Sequence, residues 1–124
     1  MDKFLMSVGA ISAFLAVAAG AFGAHALRGQ ISADMLQVFQ TGVTYQMYHA
    51  LALVGTGILL ARFSADGSVW LTAAGWLFIA GSVLFSGSLY ALALSGVTVL
   101  GAITPLGGVA FLLGWLALAI GVWR

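Results

Sequence analysis

The chain has 124 residues, of which 63% are hydrophobic and 6% charged, with a formal net charge of +1, 17 glycines, one proline and no cysteine. Soluble domains carry roughly a quarter charged residues, so this composition excludes an ordinary globular domain, and the near-neutral charge excludes an electrostatic footprint for nucleic acid. Without cysteine there are no disulfides, thiolate metal sites or thiol nucleophiles.

The four basic and three acidic side chains stand at the ends of apolar stretches or in the gaps between them. Four stretches reach the ~20 residues that cross a hydrocarbon core ~30 Å thick. The expected fold class is therefore all-α, a polytopic integral membrane protein with four transmembrane helices in one bundle and one domain.

The first span covers about residues 4–27, uncharged from Phe4 to Leu27. Lys3 and the small residues around Ala24-His25-Ala26 resemble a secretory signal, but the apolar run exceeds the ~7–15 residues of such a core, so it reads as a retained span. Gly9, Ala13, Ala16, Gly20 and Ala24 recur at steps of three and four. On a helix they form one small-residue ridge that a neighbouring backbone can approach closely.

The second span covers about 42–61, and it is preceded by a stretch, 32–41, that reads either as an interfacial helix or as a continuation of the span. Ser32, followed by Asp34, is the N-cap candidate, and Gly42 is a candidate bend. Gln37, Gln40, Thr41, Thr44, Tyr45, Tyr48 and His49 share one helical face.

From Gly67 to Trp123 no charge occurs over 57 residues, which as a single helix would reach about 85 Å, so the chain must fold back once. Ser95-Gly96-Val97-Thr98 is the natural break: a helix-ending glycine, then a residue able to cap the next helix. The third span is then about 69–94 and the fourth about 97–122. The third carries Gly75, Ser82, Ser86 and Tyr90; the fourth carries Gly101, Thr104, Pro105 and Gly108, with Pro105 expected to kink it.

With four crossings, Lys3, Arg62 and Arg124 share one side and Arg28 stands alone on the other. The positive-inside rule then puts both termini in the cytoplasm, with Trp70 and Trp123 as interfacial anchors.

Four runs carry a resemblance: GAFGAHAL from Gly20 to Leu27, YQMYHALAL from Tyr45 to Leu53, LFSGSLY from Leu84 to Tyr90 and GAITPLGG from Gly101 to Gly108. One lies in each span, in order, and together they resemble the YgdD/YwdK family of small bacterial inner-membrane proteins. The resemblance implies a four-helix integral protein of the bacterial inner membrane. It brings no established activity, substrate or catalytic residue to carry over.

Chemistry must come from the few polar groups. All three carboxylates, Asp2, Asp34 and Asp66, are expected outside the hydrocarbon, so paired-carboxylate catalysis and a buried carboxylate relay lack their parts. Ser86-Gly87-Ser88 has no G-x-S-x-G elbow or orienting acid, and Ser82, Ser86, Ser88 and Thr104 read more simply as interhelical hydrogen-bonding groups. The chain is therefore expected not to be an enzyme, to hold no metal or cofactor, and to act as a structural or accessory protein. Its expected partners are the lipid bilayer and either further copies of itself or another membrane protein.

Two other readings stand beside that one. A transporter or channel would gather Gln40, Thr44, Tyr45, Tyr48, His49, Ser82, Ser86, Tyr90 and Thr104 into an intramembrane polar cluster; four spans enclose little space, so it would need an oligomer or an internally repeated architecture. Haem or metal binding would use His25 and His49, provided they meet. They can approach only if 32–41 lies at the interface, because a continuous second helix carries His49 about 24 Å from its start. Gly20, Ala24, Gly101, Pro105 and Gly108 are the expected packing or kink positions.

Overall fold

The computed structural model of the chain describes residues 1–62 and 65–124 and, at 65 and 66, the backbone alone. The Asp66 side chain, one of the three carboxylates, lies outside the described residues. Among the described residues, four helical stretches are long and apolar enough to cross a membrane: Asp2–Leu27, Ala33–Arg62, Gly67–Ser95 and Thr98–Trp123.

The first span is helix α1 (Asp2–Phe22) ending in a π-helical turn, Gly23–Leu27. A tight turn follows, with Gln30 N–H donating to Leu27 O at 2.8 Å and Gly29 at φ 85°, a left-handed conformation that glycine adopts without a Cβ clash. Ser32 Oγ then accepts from Met35 N–H at 3.1 Å, an N-cap bond that starts α2 (Ala33–Arg62). Helix α2 runs unbroken for 30 residues, or ~45 Å. Residues 33–41 thus belong to the same unbroken helix as the span. Gly42 is not a bend: a Cβ there would come within 2.9 Å of the Tyr90 ring, so the glycine serves close packing.

The third span consists of α3 (Ala65–Gly81), a π-helical turn (Ser82–Ser86) and α4 (Gly87–Ser95). It stops at Gly96, whose φ of 74° and N–H bond to Leu92 O at 2.8 Å form a left-handed C-cap. Ser95 Oγ accepts from Val97 N–H at 3.2 Å, fixing the reversal. The fourth span opens with a 3₁₀ turn, Thr98–Ala102, before α5 (Thr104–Trp123). Pro105 lies in the first turn of α5 rather than at a kink within a longer α-helix. A first-turn N–H has no intrahelical acceptor, so proline's missing donor is tolerated there.

The spans run alternately up and down, and two antiparallel pairs, α1 with α2 and α3 with α5, make the largest contacts. Small residues set the spacing. A Cβ on Gly9 would stand 2.7 Å from Ala50 O and 2.8 Å from Val54 N, so α1 and α2 approach backbone to backbone. The ridge of Gly9, Ala16 and Gly20 therefore packs within this chain. On α5, Gly114 faces the Phe78 ring and Gly121 faces Leu71 in the same manner. One core joins all four spans through Leu5, Leu53, Ala74, Phe78, Phe111 and Ala117. A second, toward the other end, packs Leu27, Phe39 and Ala93 with Tyr90.

Overfilling the α1–α2 contact should be costly, whereas Gly55 has open space where its Cβ would stand. Gly9→Ile is expected to destabilise the detergent-solubilised protein by about 1–3 kcal/mol or more, while Gly55→Ala leaves its thermal unfolding unchanged or slightly raised. Equal midpoints for the two variants would contradict this packing.

Candidate functional site

His49 sits 16 residues into α2, about 24 Å along its axis, and is only 4% exposed. Its Nδ1 lies 2.7 Å from Tyr45 O, one turn back on the same helix. Its Nε2 lies 3.0 Å from Trp115 Nε1 on α5. An indole N–H can only donate, so Nε2 must be the acceptor and the proton belongs on Nδ1, which donates to Tyr45 O. Both nitrogens are thereby engaged, and the imidazole is held neutral in one tautomer. The ring stacks on Phe111 with centroids 3.5 Å apart and planes 8° from parallel, and Phe78 closes a further side at 5.5 Å.

Beside His49 an aromatic groove of about 450 Å³ opens between α2, the π turn of the third span and α5. Tyr45, Phe85, Pro105, Phe111 and Trp115 line it together with His49. Tyr45 and Phe85 are in ring contact at 4.6 Å, and Phe85 touches Phe111 at 5.5 Å. Gly107 allows this arrangement, because a Cβ there would run into the Phe85 backbone.

A second polar centre lies on another side of α2. Gln46 Nε2 donates to Ser12 O at 2.9 Å and approaches Ser12 Oγ at 3.3 Å, while Gln46 Oε1 accepts from the Tyr90 hydroxyl at 2.5 Å. One amide thus binds α1, α2 and α4 together. Two smaller bonds complete the set: Ser86 Oγ donates to Gly42 O at 2.7 Å, and the Ser88 and Thr104 hydroxyls meet at 2.6 Å.

The nine residues expected to share one intramembrane cluster are therefore distributed among several local arrangements. His49 with Tyr45 forms one, Ser86 another, Tyr90 a third and Thr104 a fourth. Thr44 Oγ1 donates to Gln40 O at 3.0 Å, and Thr41 Oγ1 to Gln37 O at 3.0 Å, so these hydroxyls are satisfied by their own helix. Thr44 and Tyr48 are exposed on the bundle exterior, and the Gln40 amide lies against Gly23. The Ser82 hydroxyl is buried with no hydrogen-bond partner. Of the packing positions, Gly20 faces Val43, Gly101 faces Leu92 and Gly108 faces Phe85. Ala24 is exposed.

The proposed ligand pair does not have the placement it required. His25 is exposed in the π turn ending the first span, whereas His49 is buried deep in an unbroken α2. Metal binding at His49 would also have to displace Trp115, since Nε2 has no second lone pair. Among the described residues, no three His, Asp or Glu side chains gather as ligands.

Sequence reasoning overlooked Gln46, Ser12, Phe111 and Trp115. Gln46 had a usable signal: it is an amide near the middle of a span, where an unsatisfied polar group costs several kcal/mol, so it had to find partners on neighbouring helices. The two aromatic residues had no comparable mark among so many apolar neighbours.

Comparison with known proteins places this architecture among membrane proteins. Residues 19–108 match the family model described as a protein of unknown function, DUF423. The chain is 54% identical over 118 residues to the UPF0382 membrane protein YwdK of Bacillus subtilis, covering 95% of this chain and 94% of that one. It is 48% identical over 122 residues to a UPF0382 membrane protein of Staphylococcus saprophyticus, covering 98% of each. A UPF0382 membrane protein of Staphylococcus aureus is likewise 48% identical over 122 residues, 98% of this chain and 97% of that one. No solved structure matches the chain.

Replacing Gln46 by leucine should remove both of its interhelical bonds and leave the Tyr90 hydroxyl without its acceptor. The expected cost is about 0.6–2 kcal/mol, read as a lower midpoint in denaturant titration of the solubilised protein. Nitrogen-15 NMR of histidine-labelled protein should show His49 as the Nδ1–H tautomer, and Trp115→Phe should shift its Nε2 resonance; an Nε2–H tautomer would contradict the hydrogen-bond assignment.

Proposed function

This chain belongs to the DUF423 family, and from its geometry we propose a non-catalytic protein of the bacterial cytoplasmic membrane that works by lateral association, as an accessory subunit of another membrane protein or as a homo-oligomer. The supporting observation is where the intramembrane polar groups go. Gln46, Tyr90, Ser86, Ser88, Thr104, His49 and Trp115 spend their hydrogen bonds on other helices or on their own backbone. That use makes a firm scaffold and leaves little to bind or activate a polar substrate.

Among the described side chains catalysis has no carboxylate support within the bundle: Asp2 and Asp34 each lie in the first turn of a helix, at the ends of spans. A solute path through the chain has less support than lateral association. Thr44 and Tyr48, expected to line such a path, face outward, and the interior between the spans is filled by Phe78, Leu5, Leu53 and Leu71.

Helical spans favour the cytoplasmic over an outer membrane, where barrels prevail. Lys3, Arg62 and Arg124 lie at span ends on one side of the alternating bundle and Arg28 on the other, which favours cytoplasmic termini.

Native mass spectrometry of the mildly solubilised protein is expected to show a defined oligomer or a complex with another membrane protein; a bare monomer across detergents would count against lateral association. A reporter fused after Arg124 is expected to be active in the cytoplasm, and a periplasmic signal would reverse the orientation.

A further inference from the structure

The groove beside His49 follows α5 from Pro105 to Trp115. Those ten steps of helix cover about 15 Å, half of a hydrocarbon core ~30 Å thick, so the groove has the depth of one leaflet. It begins at the end of the bundle that holds the 95–98 reversal and reaches His49 and Trp115, near the middle of α2 and α5.

Its chemistry is apolar. The aromatic rings of Tyr45, Phe85 and Phe111 form much of its surface, and the polar atoms of His49 and Trp115 are bonded to each other. Such a lining offers dispersion contacts along its length and few hydrogen bonds for a polar ligand. The volume, about 450 Å³, falls within the ~300–1,000 Å³ of small-molecule sites. By contrast, a helix segment ~15 Å long and ~10 Å across occupies roughly 1,200 Å³, so a helix from a second copy could seat only part of its girth.

Access is sideways. Val109 and Leu112, which also line the groove, are 54% and 73% exposed on the surface that faces lipid in a membrane-spanning bundle. The groove is continuous with that lipid interface, and an occupant enters it from the bilayer without crossing water.

We propose that this groove seats one acyl chain of a phospholipid from the leaflet on the side of the 95–98 reversal, held as a resident lipid. The inference rests on the membrane placement of the chain and not on its lateral association, so either can fail while the other stands.

The test uses the full chain in nanodiscs whose phospholipid carries a diazirine midway along one acyl chain. After irradiation, adducts mapped by mass spectrometry should be several-fold enriched at Tyr45, Phe85 and 105–115 over residues 11–17, where Ile11, Phe14 and Val17 give an exposed reference that does not line this groove. Gly108→Phe should abolish that enrichment and leave labelling of 11–17 unchanged, because a Cβ at Gly108 makes only ordinary contact with Phe85, at 3.9 Å, and the larger ring would fill the groove. Val109→Trp serves the same end if Gly108→Phe fails to fold. Uniform labelling of all lipid-facing segments, or enrichment that survives the filled groove, would overturn the proposal. So would efficient disulfide dimer formation by Leu112→Cys with loss of lipid labelling, since the occupant would then be a second copy of this chain.

Discussion

In hydrocarbon there is no water to complete a broken hydrogen bond, and this chain is organised around that constraint. Its helices satisfy their own backbones, and apart from the buried Ser82 hydroxyl the side-chain polar groups described above are satisfied either by a carbonyl one turn back or by a neighbouring span. Gln46 shows the second solution most fully, since a single amide supplies partners to Ser12 and Tyr90. Ser86 joins the third span to α2, Ser88 with Thr104 joins it to α5, and Trp115 with His49 joins α5 back to α2. These bonds form a chain of ties around the bundle, while close glycine contacts bring the backbones near enough for the side chains to meet.

The all-α membrane fold is legible in the sequence because the signal is cumulative: charges at the ends, and uninterrupted apolar runs of the necessary length. Close packing is partly legible too, since a glycine or alanine every three or four residues leaves no other use for that face of α1. The candidate site is less legible. The stripe from Gln37 to His49 resembles an interior polar face, yet its threonines bond to their own backbone and can face lipid at little cost. His49 lies at the margin of that stripe and turns inward, while Gln46, about 100° around the helix from Tyr45, carries the interhelical bonds.

Pro105 differs from its expected kink for a related reason. A proline within a long apolar run implies a kink only if the α-helix has already begun, and the sequence offers no mark that 98–102 winds as a 3₁₀ turn. The placement of the histidine pair turned on how far His49 lies along α2, which depended on whether α2 began at Ala33 or near Gly42. A residue pattern with two acceptable starting points cannot decide that; the Ser32 cap and the packing of Gly42 against Tyr90 do.

The π turn at Ser82–Ser86 carries a consequence for how this span can change through evolution. A π turn accommodates one residue more than the α-helix would hold, so everything beyond it is rotated by about 100° relative to an uninterrupted helix. Phe85 and Ser86 lie within the turn, while Ser88 and Tyr90 depend on the phase it sets. A one-codon deletion here would therefore act as a rotation rather than a shortening, turning the serine away from Thr104 and the tyrosine away from Gln46 together. A deletion in the 28–32 turn would instead disturb the local cap and turn bonds at the end of a span without changing the phase of residues in its middle. Sequence drift by insertion and deletion is thus far more constrained in the middle of this span than its unremarkable apolar composition suggests.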